Sequence, residues 1–118
     1  MDKLQSSSEL NLSLKKNERI ALRNLKEMLS QKFKIVDFRL FGSKARGEDT
    51  PESDIDVMVE VEKITSEIES QIDDIVFKIN LEKDTFMSII IFGRDEIEEG
   101  PMSESPIYKI IQKEGVQI

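Results

Sequence analysis

The segment Leu40-Phe41-Gly42-Ser43-Lys44-Ala45-Arg46-Gly47 closes one apolar run, and with ten residues intervening after Ser43 the segment Asp54-Ile55-Asp56-Val57-Met58-Val59 opens another. If both runs are strands lying side by side, the glycine-serine step and the two carboxylates meet at one end of a sheet. Glycine at a strand end lets backbone N–H groups come close to a phosphate, and a helix starting there adds positive dipole. Ser43 supplies a hydroxyl, and Lys44 and Arg46 bring positive charge to the same point. Residues two apart in a strand project from one face, with backbones roughly 6.5 to 7 Å apart. Asp54 and Asp56 can therefore converge on one ion. Oxygen ligands without His or Cys suit Mg²⁺ or Mn²⁺, which complete their shells with water and substrate phosphates. Taken singly, Asp-x-Asp and Gly-Ser are common turn chemistry. Their ordered conjunction is what points to a nucleoside triphosphate site.

The remaining composition narrows the chemistry further. With no Cys and no His among 118 residues, disulfides, thiolate metal sites and imidazole bases are excluded, leaving carboxylates, hydroxyls, Lys and Arg. A formal charge of −7 argues against general nucleic-acid binding, whose affinity comes from Lys and Arg neutralising phosphates. The longest apolar runs are about five residues, against the roughly twenty that a spanning helix requires, and the N-terminus has no signal-peptide pattern. The expectation is a cytoplasmic protein with no membrane association.

Residues 1–13 are polar, with Ser6-Ser7-Ser8, and read as a flexible N-terminal tail, although the alternation of Leu10, Leu12 and Leu14 leaves a short docked strand open. Residues 14–118 read as one domain. From about Lys15 to Lys32 the apolar residues Leu22, Leu25, Met28, Leu29 and Phe33 follow helical spacing. Lys34 to Phe41 alternates as a half-buried strand, with Val36, Phe38 and Leu40 inward. A surface loop follows, after at most one helical turn. Asp54 to Val61 is the second strand. Ser66-x-x-Glu69 reads as a capping box for a helix reaching about Leu81, with Ile68, Ile72, Ile75, Val76 and Ile79 on one face. Thr85 to Phe92, β-branched and uncharged, reads as a third and more buried strand. A short helix is expected over 94–99. Ser105-Pro106 starts a last helix that Gly115 ends. The fold class implied is α+β, a small mixed β-sheet flanked by helices.

The run Leu-Phe-Gly-Ser-Lys-Ala-Arg-Gly followed by Ser-Asp-Ile-Asp-Val closely resembles the minimal nucleotidyltransferases, small relatives of the DNA polymerase beta catalytic domain. The likeness extends from about residue 15 to the end. Ser105-Pro106-Ile107-Tyr108 and Lys113-Glu114-Gly115-Val116 are similar to one subgroup of them. The resemblance implies a polymerase beta palm-like fold, with Gly42 and Ser43 holding a triphosphate and Asp54 and Asp56 acting as catalytic ligands of a divalent metal. It implies transfer of a nucleoside monophosphate, AMP from ATP by expectation, to an acceptor hydroxyl with release of pyrophosphate. In the resembling family the partner is often a small helical HEPN protein, a toxic ribonuclease, which the nucleotidyltransferase adenylylates as its antitoxin. The oligomeric state is left open. One departure stands out: the superfamily usually presents a third carboxylate from the next strand, where this chain has Ser88. Asp84 and Glu60 are the substitutes at hand. The alternative reading is a catalytically weakened nucleotide-binding antitoxin acting by protein contact.

Overall fold

A computed structural model describes residues 14–48 and 54–118. The expected tail over 1–13, including the Leu10 and Leu12 alternation, lies outside the described residues. The helical spacing of the first segment forms α1 (Lys16–Lys32), whose Leu22, Leu25 and Leu29 are fully buried. There follow β1 (Ile35–Phe41), a single short turn α2 (Gly42–Arg46) and β2 (Ile55–Val61). After these come α3 (Ser66–Lys83), β3 (Met87–Gly93), α4 (Arg94–Glu99), a 3-10 turn (Pro101–Glu104), α5 (Pro106–Glu114) and β4 (Val116–Gln117). The four strands form one mixed sheet in the order β3-β2-β1-β4. β1 runs antiparallel to β2 and β4, and β2 runs parallel to β3.

Strand alternation divides the apolar residues between two layers. On one face Phe38, Leu40, Ile55, Val57 and Val59 pack against α1 and α3 in the main core. On the other, Met58 and Phe92 join Ile111 of α5 in a smaller core, where the rings of Phe92 and Tyr108 meet edge to face at 5.1 Å. This second layer covers only part of its face. At the end of the sheet that carries Asp56, Asp54 and Ser88 are exposed and Asp56 is half-buried.

Several sequence expectations are corrected here. β2, not β3, is the most buried strand, because β2 lies inside the sheet while β3 forms an edge; Ser88 is exposed and Ile89, Ile90 and Ile91 are only half-buried. Val36 is exposed rather than inward. A register irregularity between Ile35 and Asp37 takes Val36 out of the pairing with β2. The α3 N-cap is Thr65, whose hydroxyl accepts the Ile68 N–H at 3.1 Å, and α3 extends to Lys83. β4 was not foreseen, since two residues carry no periodicity.

The turn entering β3 is held by one side chain. Asn80 Oδ1 accepts the Met87 N–H and the Thr85 hydroxyl, each at 2.9 Å, and its Nδ2 donates to the Met87 carbonyl at 3.2 Å. Asn80 thereby pairs with Met87 as a neighbouring strand would.

Candidate nucleotide and metal site

Antiparallel pairing sets Phe41 opposite Asp56, so the end of β1 and the start of β2 share one end of the sheet. Gly42 follows at once with φ 75°, a conformation costly for any residue with a Cβ. A Cβ on Gly42 would stand 2.3 Å from Asp56 Oδ2. The carboxylate and the bare glycine backbone therefore occupy one cradle, and both the dihedral and the space require glycine there.

Asp54 is exposed just before β2, while Asp56 is half-buried. Burial, and then the charge of Asp54, push the Asp56 carboxyl above the usual carboxylate range, with Arg46 pulling partly the other way. A half-buried carboxylate with a second one close beside it, next to a space closed to any Cβ, is a donor set for a hard cation. Binding one would relieve that repulsion. Among the described residues no group of three or more acidic, His or Cys side chains is close enough to share a metal. A third ligand would have to come from substrate or water.

Ser43 lies half-buried in the turn after Gly42. Arg46 is exposed at the end of α2 and ion-paired with Glu48 at 3.1 Å and Glu114 at 3.9 Å. Lys44 is placed differently from the expectation that it brings charge to the phosphate. It is fully buried, with its Nζ 3.2 Å from Glu18 Oε1, which also accepts the Lys15 N–H at 2.8 Å. Helical rotation explains this: in α2 the side chain after Ser43 faces the sheet and α1 instead of the open end. Glu18 was missed in the sequence because it stands twenty-six positions before Lys44, beyond any local spacing rule.

The third-carboxylate position resolves in detail. Parallel pairing sets Ser88 directly beside Asp56, and Ser88 is exposed. Glu60 shares the face of Asp56 but is almost wholly buried, ion-paired with Arg94 at 2.7 Å and accepting the Tyr108 hydroxyl at 3.5 Å. Burial raises its carboxyl most, with Arg94 opposing. It belongs to the small core. Asp84 ends α3 in the left-handed region at φ 55°, exposed, its carbonyl accepting from Asn17 at 3.2 Å. Neither replaces the missing acid.

A mixed sheet flanked by helices, with a glycine turn and paired aspartates sharing one end, is the architecture of nucleotidyltransferase domains. The chain belongs to that family, whose model, described as Nucleotidyltransferase domain, matches residues 22–117. Two proteins of Methanocaldococcus jannaschii, each bearing the name "Putative protein adenylyltransferase", are similar to part of it. One is 55% identical over 42 residues, covering 36% of this chain and 42% of the relative; the other is 49% identical over 39 residues, covering 33% and 40%. The chain thus matches less than half the length of these relatives. A crystal structure of a "putative nucleotidyltransferase" from Sulfolobus solfataricus shares the fold, with a TM-score of 0.54 at 17% identity, covering 99% of this chain and 86% of that one. Among the described residues no helix is long and apolar enough to cross a membrane.

Proposed function

We propose that this chain is a minimal nucleotidyltransferase that uses Mg²⁺ or Mn²⁺ to transfer AMP from ATP to a hydroxyl of a partner protein. The observation that carries the reading is the contact of Gly42 with Asp56 beside Asp54. Asp54 and Asp56 would hold the metal, which supplies charge neutralisation at the phosphates and at the attacking oxygen. Gly42 and Ser43 would hold the triphosphate by backbone N–H groups and a hydroxyl, and Arg46 stands within electrostatic reach of Asp56 to share that charge. In-line phosphoryl transfer depends on positioning and electrostatics more than on covalent chemistry. The partial likeness to the adenylyltransferase-named relatives supports AMP as the group and protein as the acceptor. A small helical HEPN-type protein, with this chain as its antitoxin, is the partner the sequence resemblance favours. The test is calorimetric titration of ATP with and without Mg²⁺. Asp54→Asn and Asp56→Asn should each abolish the metal-linked part of binding with the thermal melt preserved. Equal metal-linked binding in wild type and the double variant would remove this site from consideration.

One observation favours a second reading. Ser88 stands beside Asp56 where an acid would complete the metal shell. On that reading the chain binds MgATP and its partner without efficient transfer, neutralising the partner by contact. Incubation of the pair with ATP labelled at the α-phosphate separates the two, because only the first reading leaves label on the partner.

A further inference from the structure

Phe77, Leu81 and Phe86 are exposed at 64%, 70% and 70% and lie together, and contiguous exposed apolar surface marks an interaction site where single residues would not. Phe77 and Leu81 are one turn apart on α3, and Phe86 leads into β3. Together with Asn80, Asp84 and Thr85 they line one hollow of about 380 Å³. Its surroundings are acidic. Asp73 and Asp74, exposed one turn before Phe77, and Glu82 and Asp84, exposed beyond Leu81, outnumber the exposed Lys78 and the half-buried Lys83. The hollow also borders the candidate site: Phe86 is two residues before Ser88, and its carbonyl accepts the Ile55 N–H at 2.9 Å, between Asp54 and Asp56 in sequence.

We propose that this hollow docks the protein acceptor, through an amphipathic helix whose apolar stripe is flanked by Lys or Arg. The proposal rests on the transfer reading above and assigns the surface that brings the hydroxyl to the metal. An apolar helix face fills a groove of exposed aromatic and aliphatic side chains, and a basic flank matches the acidic rim. A second copy of this chain, at −7 overall, would set acid against acid there.

The experiment uses the full chain and a synthetic helical peptide of Leu and Lys in amphipathic spacing with one central Tyr, alongside a twin carrying Glu for Lys. Fluorescence anisotropy should show the lysine peptide binding and the glutamate twin not. Phe77→Ser/Phe86→Ser should weaken lysine-peptide binding by about tenfold or more, because buried aromatic anchors dominate such contacts. Both positions are exposed, so the double variant should melt like wild type and bind MgATP equally. With α-phosphate-labelled ATP, the Tyr should be labelled by wild type and much less by the variant. Equal lysine-peptide binding by wild type and variant, or equal binding of the two peptides, overturns the surface. Peptide binding without labelling, in a chain that binds MgATP, overturns the transfer reading and with it the acceptor role, and leaves a surface for contact alone. Wild-type dimers in sedimentation that the variant loses would make a second copy the occupant. Tighter peptide binding after deletion of residues 1–13 would make that segment the occupant. Either result overturns the assignment. Peptide binding by a chain that fails to bind MgATP would refute the nucleotide reading instead and leave the surface standing.

Discussion

Gly42 is the residue whose role depends least on context, because its backbone angle and the nearness of Asp56 Oδ2 make the same demand. Gly42→Ala should cost about 1–2 kcal/mol from the left-handed backbone alone, and should also displace the carboxylate. The expected result is a lowered melting temperature together with lost Mg²⁺-dependent ATP binding; a variant that melts early yet keeps metal-linked binding would show that the cradle is not needed. Ser88 offers the opposite test. Being exposed and in register with Asp56, Ser88→Asp adds a third carboxylate without burying it. Without metal it should melt slightly earlier from like-charge repulsion, and with Mg²⁺ its melting temperature should rise by more than that of wild type. No extra gain from metal would mean that residue 88 does not face the pair. The glycine and both aspartates were legible in the sequence because each is marked by residue type at a strand end. The interior position of Lys44 was not, since it depends on how α2 rotates against α1.

Among the elements, α1 and α2 are joined by the buried Lys44–Glu18 pair. Removing one partner of a buried ion pair leaves the other charge poorly compensated, at a cost of about 3–5 kcal/mol, while replacing both with groups of similar volume can be near neutral. Lys44→Met alone should therefore destabilise strongly, and Glu18→Gln/Lys44→Met should recover much of the loss, as a denaturation double-mutant cycle would reveal. Additive losses would mean that the pair is not coupled. The helices were readable because their apolar spacing runs over many residues, as in Leu22, Leu25 and Leu29. The strands were located within about two residues and β1 is half-buried as its alternation implies, but β3 is less buried than its composition suggests. Burial depends on position within the sheet, which Ile89 to Ile91 cannot announce by themselves.

For the whole molecule, acidity enters through carboxylates that folding buries. Glu60 and Asp56 both have raised carboxyl values, from ordinary values of 4.5 and 3.8, so the native state holds more protons than the unfolded chain just above those values. Their contribution to stability is complete below the ordinary range and is lost as pH rises through the raised native values. Glu60→Gln removes one such group while keeping its shape. Relative to wild type it should gain stability as pH climbs from below 4.5 towards neutrality, measured by urea denaturation at stepped pH. A constant difference would mean that Arg94 fully compensates the burial. The α+β class and the shared sheet end were legible from the order of elements. The small core of Phe92, Tyr108 and Ile111 was not, because it joins segments far apart in the chain.

Asn80 has a consequence for how chemistry on this sheet could change. By gripping Met87 through both edges of its amide, it works as an index pin for β3: each residue is assigned to one side, and only position 88 falls beside Asp56. A slip of one residue would set an isoleucine or a methionine beside Asp56 and send Ser88 towards the interior. Whether an acid stands beside Asp56 is then a matter of a single codon, provided the pin one residue away stays in place.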